Sequence, residues 1–104
     1  MGNFPILVIN QFFEIKNKTT ELGESSSFER NFNRLKSIFE EEGYIVHDPT
    51  NEIYTDSRTD CEASFVGKVM SKMTITKTLK PIIYKKSDGA VTLIQKAVVF
   101  VEAK

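Results

Sequence analysis

The chain has 104 residues, of which 40% are hydrophobic and 27% charged, enough for one modest core and too few for two. Fourteen basic and fourteen acidic side chains cancel, which argues against a generic polyanion binder whose affinity comes from counterion release. The cancellation hides a segregation: residues 1–60 carry six Lys or Arg against eleven Asp or Glu, a balance of −5, and residues 61–104 carry eight against three, a balance of +5. A single cysteine, Cys61, cannot form an internal disulfide, and this points to a reducing, cytoplasmic setting. The apolar stretch from Phe4 to Phe13 contains Asn10 and Gln11 and lacks a basic lead and a small-residue cleavage site, so it reads neither as a signal peptide nor as a membrane span. Met1 and Gly2 open like a myristoylation signal, but Ile6 stands where Ser or Thr belongs. The sequon at Asn17, Lys18 and Thr19 carries no information without secretion.

Pro5 suits the first turn of a helix, and Ile6, Val8, Ile9, Phe12, Phe13 and Ile15 recur at helical spacing, which predicts a helix from about Pro5 to about Glu21. Gly23 and the serines Ser25 to Ser27 mark a stop and a new start, and Ser26 with Glu29 has capping-box spacing. Phe28, Phe32, Leu35, Ile38 and Phe39 then form an apolar stripe that Gly43 closes at C′, predicting a second helix from Phe28 to Glu42. The pair reads as a helical hairpin over residues 1–43.

After Gly43 the pattern turns to strand, with Tyr44 to Val46, a turn at Asp48 to Asn51, and a short extended piece from Glu52 to Thr55. Asp56 to Glu62 is polar and irregular. Strand texture returns at Phe65, Val66 and Val69, then at Thr74 to Leu79 and Ile82 to Lys86, and Asp88-Gly89 marks a tight hairpin. The stretch from Val91 to Glu102 is apolar on both faces and reads as one strand that is buried on both sides or lines a barrel or an interface. Pro81 belongs at a strand start or edge. The expected architecture is α+β: one domain, with the helical hairpin followed by a compact, mainly antiparallel β unit of five or six strands over residues 44–104.

Residues that could carry chemistry are few. Cys61, His47 and Asp56 or Asp48 have the types needed for a nucleophile, base and orienting acid, but match no family spacing, and the ordinary reading is a half-buried thiol and a surface imidazole. One His and one Cys fall short of a structural zinc site, so no metal and no cofactor is expected. Glu40 to Glu42 oppose the dipole at a helix C-terminus and read first as a solvated end and second as a docking surface for basic residues. Gly67-Lys68 lacks a phosphate-loop pattern. Lys77, Lys80, Lys85, Lys86 and Lys96, interleaved with Tyr84 and Phe100, have the ingredients of a single-stranded nucleic-acid face, but lysines that protect sheet edges explain them better.

Over residues 7–102 the chain resembles the C-terminal part of the GrpE family, nucleotide exchange factors of DnaK-type chaperones. The resemblance rests on a helix ending in Gly43, on Asp48-Pro49, on Glu62-Ala63, on Tyr84, and on Gln95, Lys96, Ala97, Val99 and Val101 in the final strand. Cys61, Ile83 and Gln95-Lys96 replace the family's His, Gly and Arg-Pro, and the long helix that opens the family's pattern has no counterpart here. The resemblance implies a non-enzymatic co-chaperone that docks on a DnaK-type ATPase domain through Lys80, Pro81, Tyr84, Gln95, Lys96 and Ala97. It also implies a homodimer whose four-helix core is built from Phe12, Phe13, Phe28, Phe32, Leu35 and Phe39; an intramolecular core against the sheet is the competing reading of those residues. An adaptor domain without exchange activity, and nucleic-acid binding by the basic face, are the functional alternatives.

Overall fold

The computed structural model describes residues 4–103, so the Met1-Gly2 start lies outside the described residues. Two helices, α1 (Phe4–Glu21) and α2 (Ser25–Glu41), precede seven strands: β1 (Tyr44–His47), β2 (Ile53–Tyr54), β3 (Cys61–Phe65), β4 (Met73–Lys80), β5 (Ile82–Ser87), β6 (Ala90–Gln95) and β7 (Ala97–Ala103). The α+β class and the order of helical hairpin then β unit match the sequence expectation.

The helix ends follow from backbone chemistry. α1 closes on Gly23 at φ 76°, where Glu24 N–H bonds the Thr19 carbonyl at 2.8 Å and Gly23 N–H bonds that of Thr20 at 3.1 Å. These paired bonds satisfy carbonyls that the helix leaves orphaned. Gly43 ends α2 in the same left-handed region, at φ 91°, as expected. The capping box at Ser26 and Glu29 does not form: α2 starts earlier, with Glu24 at its N-cap and no side-chain cap, and Ser26 lies inside the helix. The tight turn before it brings Glu24 and Ser27 together, with Ser27 Oγ donating to a Glu24 carboxylate oxygen.

The strands form a three-stranded sheet in the order β1-β5-β6 and a four-stranded sheet in the order β2-β4-β7-β3. Two corrections to the sequence reading follow. The apolar run from Val91 to Glu102 is two strands, β6 and β7, interrupted at Lys96, just as β4 and β5 are interrupted at Pro81. The hairpin is thus one long ribbon bent where Pro81 supplies no ladder donor, and its halves enter different sheets. Second, the strands number seven rather than five or six; their pairing is mainly antiparallel, as expected, with β3 and β7 parallel, Cys61 opposite Ala97 and Phe65 opposite Val101. The Asp88-Gly89 turn at the ribbon's tip has positive φ at both residues, 51° and 81°, as a two-residue hairpin requires.

The main core lies across the bend. Met73, Ile75, Ile82, Ala97, Val99 and Val101 are buried together with Cys61, and Tyr54, Ala63, Tyr84 and Leu93 pack around them. A second cluster seats α1 on the smaller sheet, with Ile9 against Val46 and Ile83 and flanked by Ile6, Phe39 and Tyr44. A third joins the helices through Phe12, Phe13 and Phe32, with Phe12 meeting the Phe32 and Phe39 rings edge-on at 5.8 and 5.3 Å.

Candidate docking surfaces

The six residues expected to meet a partner cluster at the ribbon bend but divide by burial. Lys80 and Lys96 are exposed, and Tyr84 is half-buried against the main core. Pro81 and Ala97 are fully buried and offer no side-chain surface to another molecule, a correction that follows from the bend itself, whose inner residues face the core. Gln95 is committed inside the molecule. Its amide exchanges reciprocal hydrogen bonds with Asn10 at 2.9 and 3.0 Å and donates to the Pro81 carbonyl at 2.9 Å. This amide pair ties the middle of α1 to the bend. Two turns further along, Asn17 donates to the Thr78 carbonyl at 3.0 Å, so the Asn of the sequon is part of the same seam.

The six helical residues also divide. Phe12, Phe13 and Phe32 are buried within the chain, and Phe39 is half-buried, as the intramolecular reading expects. Phe28 and Leu35 remain 43% and 38% exposed. They belong to a larger uncovered face. On α1 the side turned away from the sheet carries Phe4, Leu7, Val8 and Ile15, with Leu22 just past its last residue, all exposed, while Ile9, Phe13 and Asn17 occupy the opposite side. Val8, Ile15 and Leu22 repeat every two turns, and Phe28 and Leu35 continue the same interval on α2. Phe4, Pro5 and Val8 share a groove of about 410 Å³ with Ile38, Phe39, Tyr44 and Lys85, so exposed apolar residues of the two helices meet where α1 begins and α2 ends. The hairpin is therefore neither free of the sheet nor exhausted by it. One face of α1 lies on the β unit and the other stays open.

The polar stretch from Asp56 to Glu62, read from sequence as irregular, contains the most connected ionic group. The Arg58 guanidinium binds Asp60 in bidentate fashion at 2.9 and 3.1 Å, reaches Glu52 at 3.1 Å and donates to the Ile53 carbonyl at 3.1 Å. Glu52 also pairs with His47. The hydrogen bond from Arg58 holds the Asp60 carboxyl below its ordinary value, and Asp60 in turn raises the guanidinium. The group pins the connections between β1, β2 and β3. The i, i+2 spacing of Arg58 and Asp60 was the available signal, and it carries little weight by itself because charged residues are frequent in loops.

The same geometry answers the nucleophile reading. Cys61 is buried at the start of β3, and desolvation pushes its thiol up to about 11, away from the thiolate that attack requires. His47 is engaged by Glu52, and Asp48 by Thr50, whose backbone N–H and hydroxyl both donate to it. The basic residues are dispersed. Lys77 pairs with Glu21 at 3.8 Å, and Lys85 donates to the Glu42 carbonyl at 2.8 Å while lying 4.2 Å from the Tyr44 ring centroid. Two of the five lysines thus tie β strands to the acidic helical half, and Tyr84 and Phe100 are half-buried rather than presented as stacking platforms. Among the described residues, no group of three His, Cys, Asp or Glu converges as a metal site, and no helix is long and apolar enough to cross a membrane.

Comparison with protein-family models, with curated proteins and with solved structures yields no match to this chain.

Proposed function

We propose that the chain is a GrpE-like docking protein: the helical hairpin joins two copies, and the β unit seats on the ATPase domain of a DnaK-type chaperone to promote ADP release. The observation that carries this reading is the uncovered apolar face on the outer side of α1 and α2, with Val8, Ile15, Leu22, Phe28 and Leu35 at two-turn intervals. Contiguous apolar surface of this kind on a soluble domain calls for a partner, and a hairpin pairing with its own copy makes a four-helix core. The order of elements and the residues shared with the GrpE pattern supply the rest of the support. With Pro81 and Ala97 buried, docking at the bend falls to Lys80, Lys96 and the edge of Tyr84.

The mechanism needs no covalent step. A protein that binds the open form of an ATPase domain more tightly than the closed form shifts the equilibrium toward the open one, and by linkage weakens bound nucleotide by the same factor. The segregated charge assists encounter, since a β unit rich in lysine is steered toward an acidic partner surface. Two measurements test the reading. Sedimentation equilibrium gives a dimer for the native chain and a monomer for the Ile15→Glu, Leu35→Glu double variant, with helical circular dichroism retained. Release of fluorescent ADP from a DnaK-type ATPase domain accelerates on adding the chain. A dimer that leaves release unchanged at excess refutes the exchange mechanism and leaves an adaptor role; a native monomer refutes the assembly.

A further inference from the structure

The ribbon's outer half ends in an unusual edge. β6 is the outer strand of the three-stranded sheet, and from Gly89 to Gln95 it contains no charged residue and no proline; its one irregularity is a bulge at Ile94, next to Gln95, so the regular open edge runs from Ala90 to Leu93. Soluble proteins blunt open edges with lysine, proline, bulges or shortness, because unpaired N–H and C=O groups template another strand. The other edges are blunted: β2 has two residues, β1 has four and lies against α2, and β3 carries Glu62. β6 has six residues, and Val91 and Ile94 are 55% and 37% exposed, with Ala90 and Thr92 also open. Both its ends are fixed, one by the Asp88-Gly89 turn and the other by the Gln95 bonds to Asn10 and the Pro81 carbonyl. An incoming strand would meet an edge already in its bound shape.

We infer that β6 is a strand-addition site for an extended, acidic segment of a partner protein. Over Ala90–Leu93, before the bulge at Ile94, antiparallel pairing with β5 leaves alternate residues of β6 with their main-chain groups turned outward, which gives the hydrogen-bonding half of the recognition. Charge gives the other half. Residues 82–101 contain Lys85, Lys86 and Lys96 against Asp88 alone, and with Lys85 held by Glu42 and Tyr44, the exposed Lys86 and Lys96 stand beside the edge. A second copy of β6 would bring these lysines toward their own counterparts, so the charge favours an acidic partner over self-pairing. The inference goes beyond the exchange-factor reading and does not depend on it, since it concerns a different edge from the helical face and names no ATPase.

The test uses the full chain and two capped octapeptides, one alternating valine with glutamate and one alternating valine with lysine. The glutamate peptide is expected to slow amide exchange at β6 and shift its resonances, with the lysine peptide binding at least tenfold more weakly. Lys86→Glu should weaken the glutamate peptide about fivefold without changing the unfolding midpoint appreciably. Val91→Pro, which puts a proline into the regular part of the edge without changing its charge, should reduce binding of both peptides. Failure of the glutamate peptide to protect β6, protection at β3 instead, or equal binding of the two peptides overturns the proposal. So does β6 protection that rises with protein concentration in the absence of peptide, because the occupant is then a second copy.

Discussion

Replacing Arg58 with methionine removes four polar contacts while keeping most of the aliphatic volume. The side chain is 18% exposed, Asp60 26% and Glu52 39%, so the group is largely but not fully withdrawn from water. Removing one partner of a fully buried ion pair costs about 3–5 kcal/mol, whereas exposed pairs are worth about 0–1 kcal/mol. Intermediate burial, with Asp60 left carrying a carboxylate whose cation is gone, places the loss at about 2–3 kcal/mol. For a domain of this size that lowers Tm by roughly 10–20 °C. Urea unfolding at pH 7 of Arg58→Met, Asp60→Asn and the double variant measures it, and the two losses should overlap by about 1–2 kcal/mol because one interaction is being removed twice. A pH series gives the sign independently. Asp60 sits below the ordinary carboxylate value of 3.8 when folded, so its contribution is present above that value and is lost as pH falls through the lower folded one. Arg58→Met should flatten this acid limb. A single-variant loss under about 0.5 kcal/mol, or strictly additive losses, refutes the claim that the cluster pins the loops.

Two further predictions concern the interior and a turn. Burial pushes the Cys61 thiol up to about 11 from an ordinary 9.0, so its contribution is intact below pH 9 and is lost as pH rises toward 11, amounting to about 3 kcal/mol. Cys61→Ala should remove that alkaline decline in unfolding free energy, and maleimide labelling of the native thiol should be far slower than that of the unfolded chain. Gly43→Ala should cost about 2 kcal/mol or more, because a Cβ there would approach the Lys86 carbonyl to 2.9 Å at a φ of 91°. Gly23→Ala, at φ 76° with open space around it, should cost about half as much, and the difference in urea midpoints isolates the contact with β5.

What could be read from the chain and what could not divides by range. Both helices were legible because their apolar residues recur within a few positions and glycine ends each of them. The Asp88-Gly89 turn was legible because its backbone demands are local. The break at Lys96 was not, since an apolar run with both faces buried looks the same whether it is one strand or two that enter different sheets. The parallel pairing of β3 with β7 joins Cys61 to Ala97, and nothing within either segment specifies that choice. The candidate surface was legible only in part: Pro81 and Ala97 qualified by residue type and position in the chain, but the bend turns them inward. Arg58 was overlooked because its three partners, Glu52, Ile53 and Asp60, assemble only when β2 and β3 have been placed. The exposed helical face lay partly within reach of the sequence, as Phe28 and Leu35 were singled out, but Ile15 and Leu22 required knowing which side of α1 the sheet takes.

The position of β7 has a consequence for how the molecule comes to be assembled. It lies between β4 and β3 and pairs with both, although it is the last strand in chain order. During synthesis the hairpin of α1 and α2 can close early, but β3 has no neighbour and Ile75 no lid until residues 97–103 have left the ribosome. The half-made protein therefore holds its acidic helices in finished form while its basic strands wait. Loss of this final segment would not trim an edge; it would take the middle plank out of the sheet.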